Sequence, residues 1–362
     1  MTLLLLIIVI LLIVILYACW FWCRRYHRHC VGKRDRFAYV LRVSENSDTG
    51  FPPSFISVYS VNDTNGNLTF VEQKPEDQTA SNFTADLFGR NIYVANIPQD
   101  NISQFAIESD GTVSPLSPLT VAADTSPIRI LIHPTRKYAY VGTLSGDGSI
   151  IEYNIDATEG RLVFMGQIRP GVSLRTLTLH PIGSYLYSVN TDEIVQHNVG
   201  PTGELTLHGA PVSTGNSAND ITVTPSGNYV YVTDSSLKIY QYSVGAGGEV
   251  SPLATATIPT DTIPFSIVVD PFSRYAYVSQ AQADVISQYT IGTDGNLTPM
   301  TPATVPAGTY PNRLFVDQRG RYLYCANSQS NTISQFQIGT GGALVQTNTY
   351  SIPDKLIDIL II

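Results

Sequence analysis

A tyrosine-rich phrase recurs at nearly constant spacing, and this repeat limits the possible folds more than any other feature of the sequence. The phrase reads YVYVTDSSLKIYQYSVGAGGEVSPL from Tyr229, and similar phrases begin at Tyr275 and Tyr322. Its second aromatic residue marks seven repeats: Tyr39, Tyr93, Tyr140, Tyr187, Tyr231, Tyr277 and Tyr324. Neighbouring markers are 44 to 54 residues apart. Such a period is typical of one supersecondary unit repeated around a ring or along a solenoid.

Each repeat contains four short segments with the composition of β-strands. In the fifth repeat these segments are NDITVT, YVYVTD, LKIYQYS and EVSPLAT, separated by turns rich in Gly, Pro, Asn and Ser. β-Branched and aromatic residues favour strands, and no helical apolar period persists in this part of the chain. Four antiparallel strands in about 46 residues are typical of a propeller blade. Seven markers therefore predict an all-β, seven-bladed β-propeller over residues 37–362.

The two ends of this region predict how the ring closes. The first repeat begins at RFAYV, which already contains its marker Tyr39, so no inner strand precedes the marker. The chain ends in PDKLIDILII, which is similar to PNRLFVDQ of the seventh repeat. This similarity aligns Lys355 with Arg313. The C-terminal segment is thus predicted to supply the innermost strand of blade one, which removes the exposed edges of an open ring.

The N-terminal segment predicts a membrane anchor. Leu3 to Cys23 is a run of 21 residues without a charge, long enough for a transmembrane helix, and Trp20 and Trp22 lie at its end. Residues 24–36 contain six basic residues and one acid, which suits contact with anionic lipid. We therefore expect a single-pass anchor at 1–23 and a basic juxtamembrane segment at 24–36. The basic residues after the span favour a propeller on the cytoplasmic side.

Two processing events are alternatives to this anchor. A cleaved signal peptide normally has basic residues before its apolar run, and none precedes this one. The segment LYAC, ending at Cys19, loosely resembles a bacterial lipoprotein cleavage site. Either event would release the apolar segment from the mature chain.

Charge and cysteine usage exclude some functions. The chain carries 21 Lys and Arg and 29 Asp and Glu residues, of which six basic and one acidic lie in residues 1–36, so the remainder carries 15 and 28 and a net charge of −13. An acidic body argues against nucleic acid as a partner. The four cysteines match no standard metal-site or disulfide pattern. We expect neither a metal nor a cofactor.

The aromatic residues and histidines of the repeats are predicted to be structural. The marker tyrosines are expected to pack blade against blade, with hydroxyl groups that reach polar partners. His133 and His180 precede a proline at a position that holds Thr or Asp in later repeats, which indicates turn chemistry. His197 and His208 are expected at the surface of blade four.

A set of polar residues lies eleven positions before the markers, at the start of each inner strand. The set comprises Asn82, Arg129, Thr176, Asp220, Ser266 and Arg313, with Lys355 in the closing strand. Arg175 lies next to this set. Basic residues that converge on a narrow channel predict an anion-binding funnel, although propeller channels are often lined by polar residues without any ligand.

The repeats HPTRKYAYVGTLSGDGSIIEYNID, TPSGNYVYVTD and DPFSRYAYVSQ resemble the seven-bladed lactonase family. That family includes bacterial phosphogluconolactonase and fungal carboxymuconate cyclase and grades into the YVTN repeats. The resemblance covers residues 37–362 and implies a propeller with a central lactone-binding pocket lined by Arg, His and Glu. Blade four keeps the Arg as Arg175 but has Thr176 at the His, and blade three has Arg129 at the His.

Two functions follow from these features. The first is a membrane-anchored binding or interaction module that takes a small anion or a protein partner at its funnel. The second is a hydrolase of an anionic sugar or dicarboxylate lactone, with Arg129, Arg175 and Arg313 holding the anionic group and Asp220 activating water. Because no blade keeps the full Arg, His and Glu set, the sequence favours the first.

Overall fold

The computed structural model describes residues 36–44, 52–76, 78–86, 88–144, 148–171, 173–215 and 217–362. The predicted anchor at 1–23 and residues 24–35 of the basic segment lie outside these ranges. Among the described residues there is no helix with the length and apolar character needed to cross a membrane.

The described residues form 29 β-strands, which are grouped into seven blades. Blade one holds β1 (Arg36–Val43), β2 (Ser54–Val61), β3 (Leu68–Glu76) and β29 (Lys355–Ile361); blade two holds β4 (Ala80–Ala85), β5 (Asn91–Asn96), β6 (Asn101–Ile107) and β7 (Val113–Ala122). Blade three holds β8 (Pro127–Ile132), β9 (Tyr138–Thr143), β10 (Ser149–Ile155) and β11 (Leu162–Ile168). Blade four holds β12 (Thr176–Leu179), β13 (Tyr185–Val189), β14 (Glu193–Val199), β15 (Leu205–Leu207) and β16 (Val212–Ser213). Blade five holds β17 (Ala218–Val223), β18 (Tyr229–Asp234), β19 (Lys238–Val244) and β20 (Val250–Pro259); blade six holds β21 (Pro264–Val269), β22 (Tyr275–Gln280), β23 (Val285–Ile291) and β24 (Leu297–Pro306). Blade seven holds β25 (Pro311–Val316), β26 (Tyr322–Asn327), β27 (Thr332–Ile338) and β28 (Leu344–Ser351).

The strands form seven antiparallel sheets, and in six of them consecutive strands pair in sequence order. Blade four differs only in that β16 also pairs with β14. In blade one the order is β29, β1, β2, β3, so the first and last strands of the ring pair with each other. The predicted all-β, seven-bladed propeller is confirmed.

The closing strand is fixed by its ladder and by a buried arginine. β29 runs antiparallel to β1 from Ala38 opposite Ile361 to Val43 opposite Lys355. Arg42 is 2% exposed, donates to Ser57 Oγ at 2.8 Å, and forms an ion pair with Asp354. The predicted closure by the C-terminal strand is confirmed.

The hydrophobic core lies between the blades. Buried apolar residues form seven clusters, one at each contact between neighbouring blades. All seven marker tyrosines are fully buried, and each hydroxyl donates to the carbonyl of a glycine in an outer turn of a neighbouring blade, at 2.6–2.9 Å. At one such turn Gly295 has φ +81°, and a Cβ there would lie 2.3 Å from the Tyr229 ring. The structural role predicted for the marker tyrosines is confirmed.

A second row of residues links the blades through their third strands. The Gln241 side chain accepts from Leu297 N at 2.7 Å and donates to Thr255 O at 2.7 Å. Gln104, Gln196 and Gln288 make the same pair of bonds in their blades. Each glutamine thus ties the outer segment of its own blade to the outer strand of the next.

Three of the four histidines in the described part of the chain are buried. His133 and His180 are buried at the ends of inner strands, where Nε2 of each donates to a carbonyl oxygen of the next blade, Gly183 O at 3.1 Å and Gly227 O at 3.0 Å. The expectation that His197 lies at the surface is wrong. It is fully buried, because β14 turns this side chain toward Ser188, whose Oγ lies 2.9 Å from Nε2, and burial lowers its pKa to about 4.

Candidate functional site

A β-bulge near the start of the inner strands sets which side chains reach the channel. In blade three Pro127 pairs with Thr143 and Arg129 with Gly142, so the register shifts between them. Blades two, five and seven shift at the matching place, before Asn82, Asp220 and Arg313. Bulges re-aim side chains. Each residue directly after the shift pairs with the residue two positions beyond its blade's marker.

The closing strand follows the same rule with a different residue from the one expected. Asp358 pairs with Leu41, two positions beyond the marker Tyr39, whereas Lys355 pairs with Val43. The alignment of Lys355 with Arg313 is therefore wrong by three residues, and Asp358 is the seventh member of the ring. The two segments share a proline two residues before a basic residue, Pro311 before Arg313 and Pro353 before Lys355, and this shared pattern led to the wrong alignment. Ile359 and Ile361 fix the actual register because they pack in the blade core.

A cavity of about 350 Å³ occupies the centre of the propeller. Six ring residues line it: Asn82, Arg129, Asp220, Ser266, Arg313 and Asp358. Two positions further along the inner strands a second layer lines it with threonines and apolar residues: Thr84, Leu131, Thr178, Thr222, Val268, Phe315 and Leu360. The cavity is thus charged at one level and mostly apolar at the next. It continues to Gln318 and Ile362, at the ends of the inner strands.

The structure brings five of the eight predicted site residues together and leaves three outside the cavity. Asn82, Arg129, Asp220, Ser266 and Arg313 line the cavity. The side chains of Arg175 and Lys355 are exposed, and neither is among the described residues that line it. Thr176 is buried beside the ring but does not line the cavity either.

Both carboxylates of the ring accept hydrogen bonds. Asp220 Oδ2 accepts from Ser266 Oγ at 3.1 Å and from Ile267 N at 3.2 Å, and Oδ1 accepts from Ile221 N at 3.0 Å. Asp358 accepts from Ile359 N at 2.8 Å and from Asn82 Nδ2 at 3.4 Å. These bonds join neighbouring blades at the level of the ring.

The two guanidinium groups of the ring differ from the carboxylates. Within the described part of the chain, neither the Arg129 nor the Arg313 side chain makes a hydrogen bond or has a carboxylate oxygen within 4.0 Å. Burial lowers the pKa of Arg129, and the nearby Arg313 lowers it further, against the opposite effect of Asp220 and Asp358. Arginine nevertheless stays charged in proteins. The cavity therefore presents two cations whose N–H donors are not used by the described residues.

The surroundings of Asp358 raise the pKa of its carboxyl group. Its burial raises the pKa, and the charge of Asp220 acts in the same direction. Arg313 and Arg129 act against this rise, as does the hydrogen bond from Ile359 N. Asp358 thus lies in the ring with a weakened preference for its charged form.

The charge of the ring differs from the expected cationic funnel. Four cations were expected there, from Arg129, Arg175, Arg313 and Lys355. The structure places two arginines and two aspartates in the ring, so its formal charge is balanced. Asp358 was missed because blade one lacks an inner strand before its marker. One feature of the sequence could have identified Asp358: it is the only charged residue in the apolar segment 356–362.

Fold and cavity together define a seven-bladed β-propeller with a central cavity lined by charged residues. Residues 234–356 match the family model described as Lactonase, 7-bladed beta-propeller. The resemblance to the seven-bladed lactonase family is confirmed. Comparison with curated protein sequences gives no match.

Solved structures of similar fold come from several bacteria. The proposed 6-phosphogluconolactonase of Bacteroides fragilis superimposes with a TM-score of 0.77 at 18% identity, covering 92% of this chain and 99% of its own. That of Bacteroides uniformis gives 0.77 at 17%, covering 91% and 100%. The periplasmic gluconolactonase PpgL of Pseudomonas aeruginosa gives 0.72 at 15%, covering 90% and 99%. At these identities the likeness extends to the fold.

Proposed function

We propose that this protein binds a small anion in the central cavity of its propeller. The observation that carries the proposal is the pair of guanidinium groups, Arg129 and Arg313, which line the cavity without a hydrogen-bonding partner among the described residues. Guanidinium groups bind carboxylates and phosphates through paired, charge-assisted hydrogen bonds. Unused donors in a concave cavity are the property that such a ligand requires.

The dimensions and polarity of the cavity support a small ligand. A volume of about 350 Å³ lies at the lower end of the range for small-molecule sites. Asp220 and Asp358 lie in the same ring as the arginines and offer acceptor oxygens to the cavity. A ligand with one anionic group and hydroxyl groups would use both kinds of side chain.

Substitution of the ring arginines tests the proposal. In calorimetric titrations with small carboxylates, phosphates and sugar acids, Arg129→Gln and Arg313→Gln are each expected to weaken binding by roughly tenfold or more. Arg175→Gln and Lys355→Gln are the matched controls, since they remove cations that lie outside the cavity. If the control variants weaken binding as much as the ring variants, or if no anion binds the wild type, the proposal is wrong.

Lactone hydrolysis is the second candidate, with Asp220 as the base. It is favoured by the presence of this carboxylate in the same cavity as the two arginines, and by solved relatives described as lactonases. The geometry supports binding more strongly, because both oxygens of Asp220 already accept hydrogen bonds. Turnover of a lactone that disappears in Asp220→Asn, while the product anion still binds, would favour hydrolysis.

The location of the protein is also part of this proposal. The uncharged segment 3–23 and the basic residues after it support a single-pass membrane anchor with the propeller on the cytoplasmic side. Protease added to sealed vesicles tests the side, and an outward-facing propeller would be digested. A mature N-terminus at or beyond Cys19 would show cleavage instead.

If no small anion binds, the alternative is a protein partner at the funnel.

A further inference from the structure

We propose that the central cavity takes up its anion together with one proton, and that Asp358 holds this proton. The inference rests on the proposed function, since it concerns how the same cavity accommodates a negative charge. It follows from the composition of the ring, in which two arginines face two aspartates.

The empty ring has no excess positive charge. Arg129 and Arg313 contribute two positive charges, and ionised Asp220 and Asp358 contribute two negative charges. An anion that binds between the arginines would therefore leave one negative charge uncompensated in a cavity that is only partly open to solvent. Uncompensated charge away from water is costly. Uptake of a proton by one aspartate removes the excess.

Asp358 is better placed than Asp220 to take this proton. Three donors reach the two oxygens of Asp220, namely Ser266 Oγ, Ile267 N and Ile221 N. Asp358 receives one short bond, from Ile359 N, and one at 3.4 Å from Asn82. Burial and the negative charge of Asp220 both raise the pKa of Asp358.

The other charged groups near β29 leave this assignment intact. The strands in contact with β29 include β1, β4, β25 and β26. Arg313 on β25 faces Asp358, as do Arg129 and Asp220 from across the ring. Arg42 on β1 pairs with Asp354, directly before the other end of β29. Asp86, which follows β4 and also lines the cavity, is compensated by its ion pair with Arg136 at 2.7 Å.

The remaining titratable groups of these strands face elsewhere. The hydroxyls of Tyr39 on β1 and of Tyr322 and Tyr324 on β26 donate to carbonyl oxygens of outer turns. Cys325 is buried within its own blade and contacts Asn327. They do not compete for the proton.

Protonation also changes what Asp358 offers to the ligand. The proton comes from solvent and is held on a carboxyl oxygen, without any bond being broken in the protein. The neutral carboxylic acid gains one O–H donor. The bound anion would then be held by two guanidinium groups and by this hydroxyl, and the acceptor that repelled it is removed.

Calorimetry in buffers of different ionisation enthalpy measures the proton directly. Gluconate and methanesulfonate are suitable probes, because each carries a single negative charge that is constant near neutral pH. Between the pKa of Asp358 in the empty protein and its higher pKa in the anion-bound protein, we expect the wild type to take up close to one proton per bound anion. Over the same pH range, affinity is expected to fall about tenfold per pH unit. In Asp358→Asn we expect binding that depends little on pH, with proton uptake near zero.

Asp294→Asn, which removes an exposed carboxylate in an outer turn, is the matched control and is expected to retain the uptake. Binding by the wild type without proton uptake overturns this inference and leaves the proposed function standing. Uptake that persists in a folded Asp358→Asn protein assigns the proton elsewhere and also overturns it. Failure of all probes to bind the wild type overturns the proposed function itself. The wild-type measurement decides even if the variant does not fold.

Discussion

The Ser266 hydroxyl donates a hydrogen bond of 3.1 Å to the Asp220 carboxylate, although the two residues belong to neighbouring blades. Asp358 and Asn82 form the corresponding contact between blades one and two at 3.4 Å. The polar ring therefore also joins blades at the centre of the molecule, beside the apolar residues that line the same cavity. Its residues serve both the cavity and the assembly of the ring.

Ser266→Ala is expected to lower the free energy of unfolding by about 1 kcal/mol, because it removes one of three hydrogen bonds to a buried carboxylate. Ser251→Ala, at an exposed position in blade five, serves as the control and is expected to change stability by less than about 0.5 kcal/mol. Denaturant titration of both variants measures the difference. Equal stability of the two variants would contradict a structural role for the Ser266 hydroxyl.

Tyr231→Phe is expected to cost about 0.5–1.5 kcal/mol, because it leaves the buried Gly295 carbonyl without its donor. Tyr229 lies two residues earlier and donates to Thr293 O at 2.7 Å in an exposed place. Water can replace that donor, so Tyr229→Phe is expected to have a smaller effect. Thermal unfolding of the pair separates the two cases. A larger loss in Tyr229→Phe would contradict the role of the buried hydroxyl.

The fold could be predicted from the sequence because the evidence for it is repeated seven times. Each marker tyrosine occupies the same place in its blade, so an error in one repeat is corrected by the others. The site depends on single residues and has no such redundancy. Asn82, Arg129, Asp220, Ser266 and Arg313 could be found by counting back from a marker, since the strand lengths are constant.

The remaining site residue could not be found in this way. Asp358 lies in the closing strand, which has no marker after it in the chain, and its place depends on pairing with β1 at the opposite end of the sequence. That register is set by packing of Ile359 and Ile361 in the core. The bulge in the inner strands is likewise a property of the paired backbone, and residue types alone do not reveal it.

Deletion of residues 355–362 is expected to unfold or aggregate the propeller, because blade one would lose its innermost strand and expose the edge of β1. Arg42→Ala tests the same closure without removing the strand. It removes the bond to Ser57 and the ion pair with Asp354, and we expect a loss of about 1.5–3 kcal/mol. Lys355→Ala, an exposed change in the same strand, is the control. A truncated protein with an unchanged melting temperature would rule out this role of β29.

Glu152→Gln is expected to stabilise the protein. Glu152 occupies the position held by Gln104, Gln196, Gln241 and Gln288 in other blades, and its Oε1 accepts from Leu205 N at 2.8 Å as theirs do from the equivalent amides. Those glutamines also donate to a carbonyl fourteen residues later, which in blade three is that of Gly166. The Glu152 carboxylate has no donor for it. A glutamine would supply one, with an expected gain of about 0.5–1.5 kcal/mol.

The gain from Glu152→Gln is expected to depend on pH with a defined sign. Burial raises the pKa of Glu152 above its usual value, and Glu204 adds to the rise. The favourable contribution of the protonated carboxyl is therefore complete below the usual pKa of about 4.5 and is lost as the pH rises through the higher folded-state value. The advantage of the glutamine variant should be small in acid and largest at neutral pH. The reverse change, Gln241→Glu, should destabilise blade five with the same dependence on pH. Denaturant titrations at several pH values measure both variants, and a stability difference that is constant with pH would show that the charge of Glu152 is not the cause.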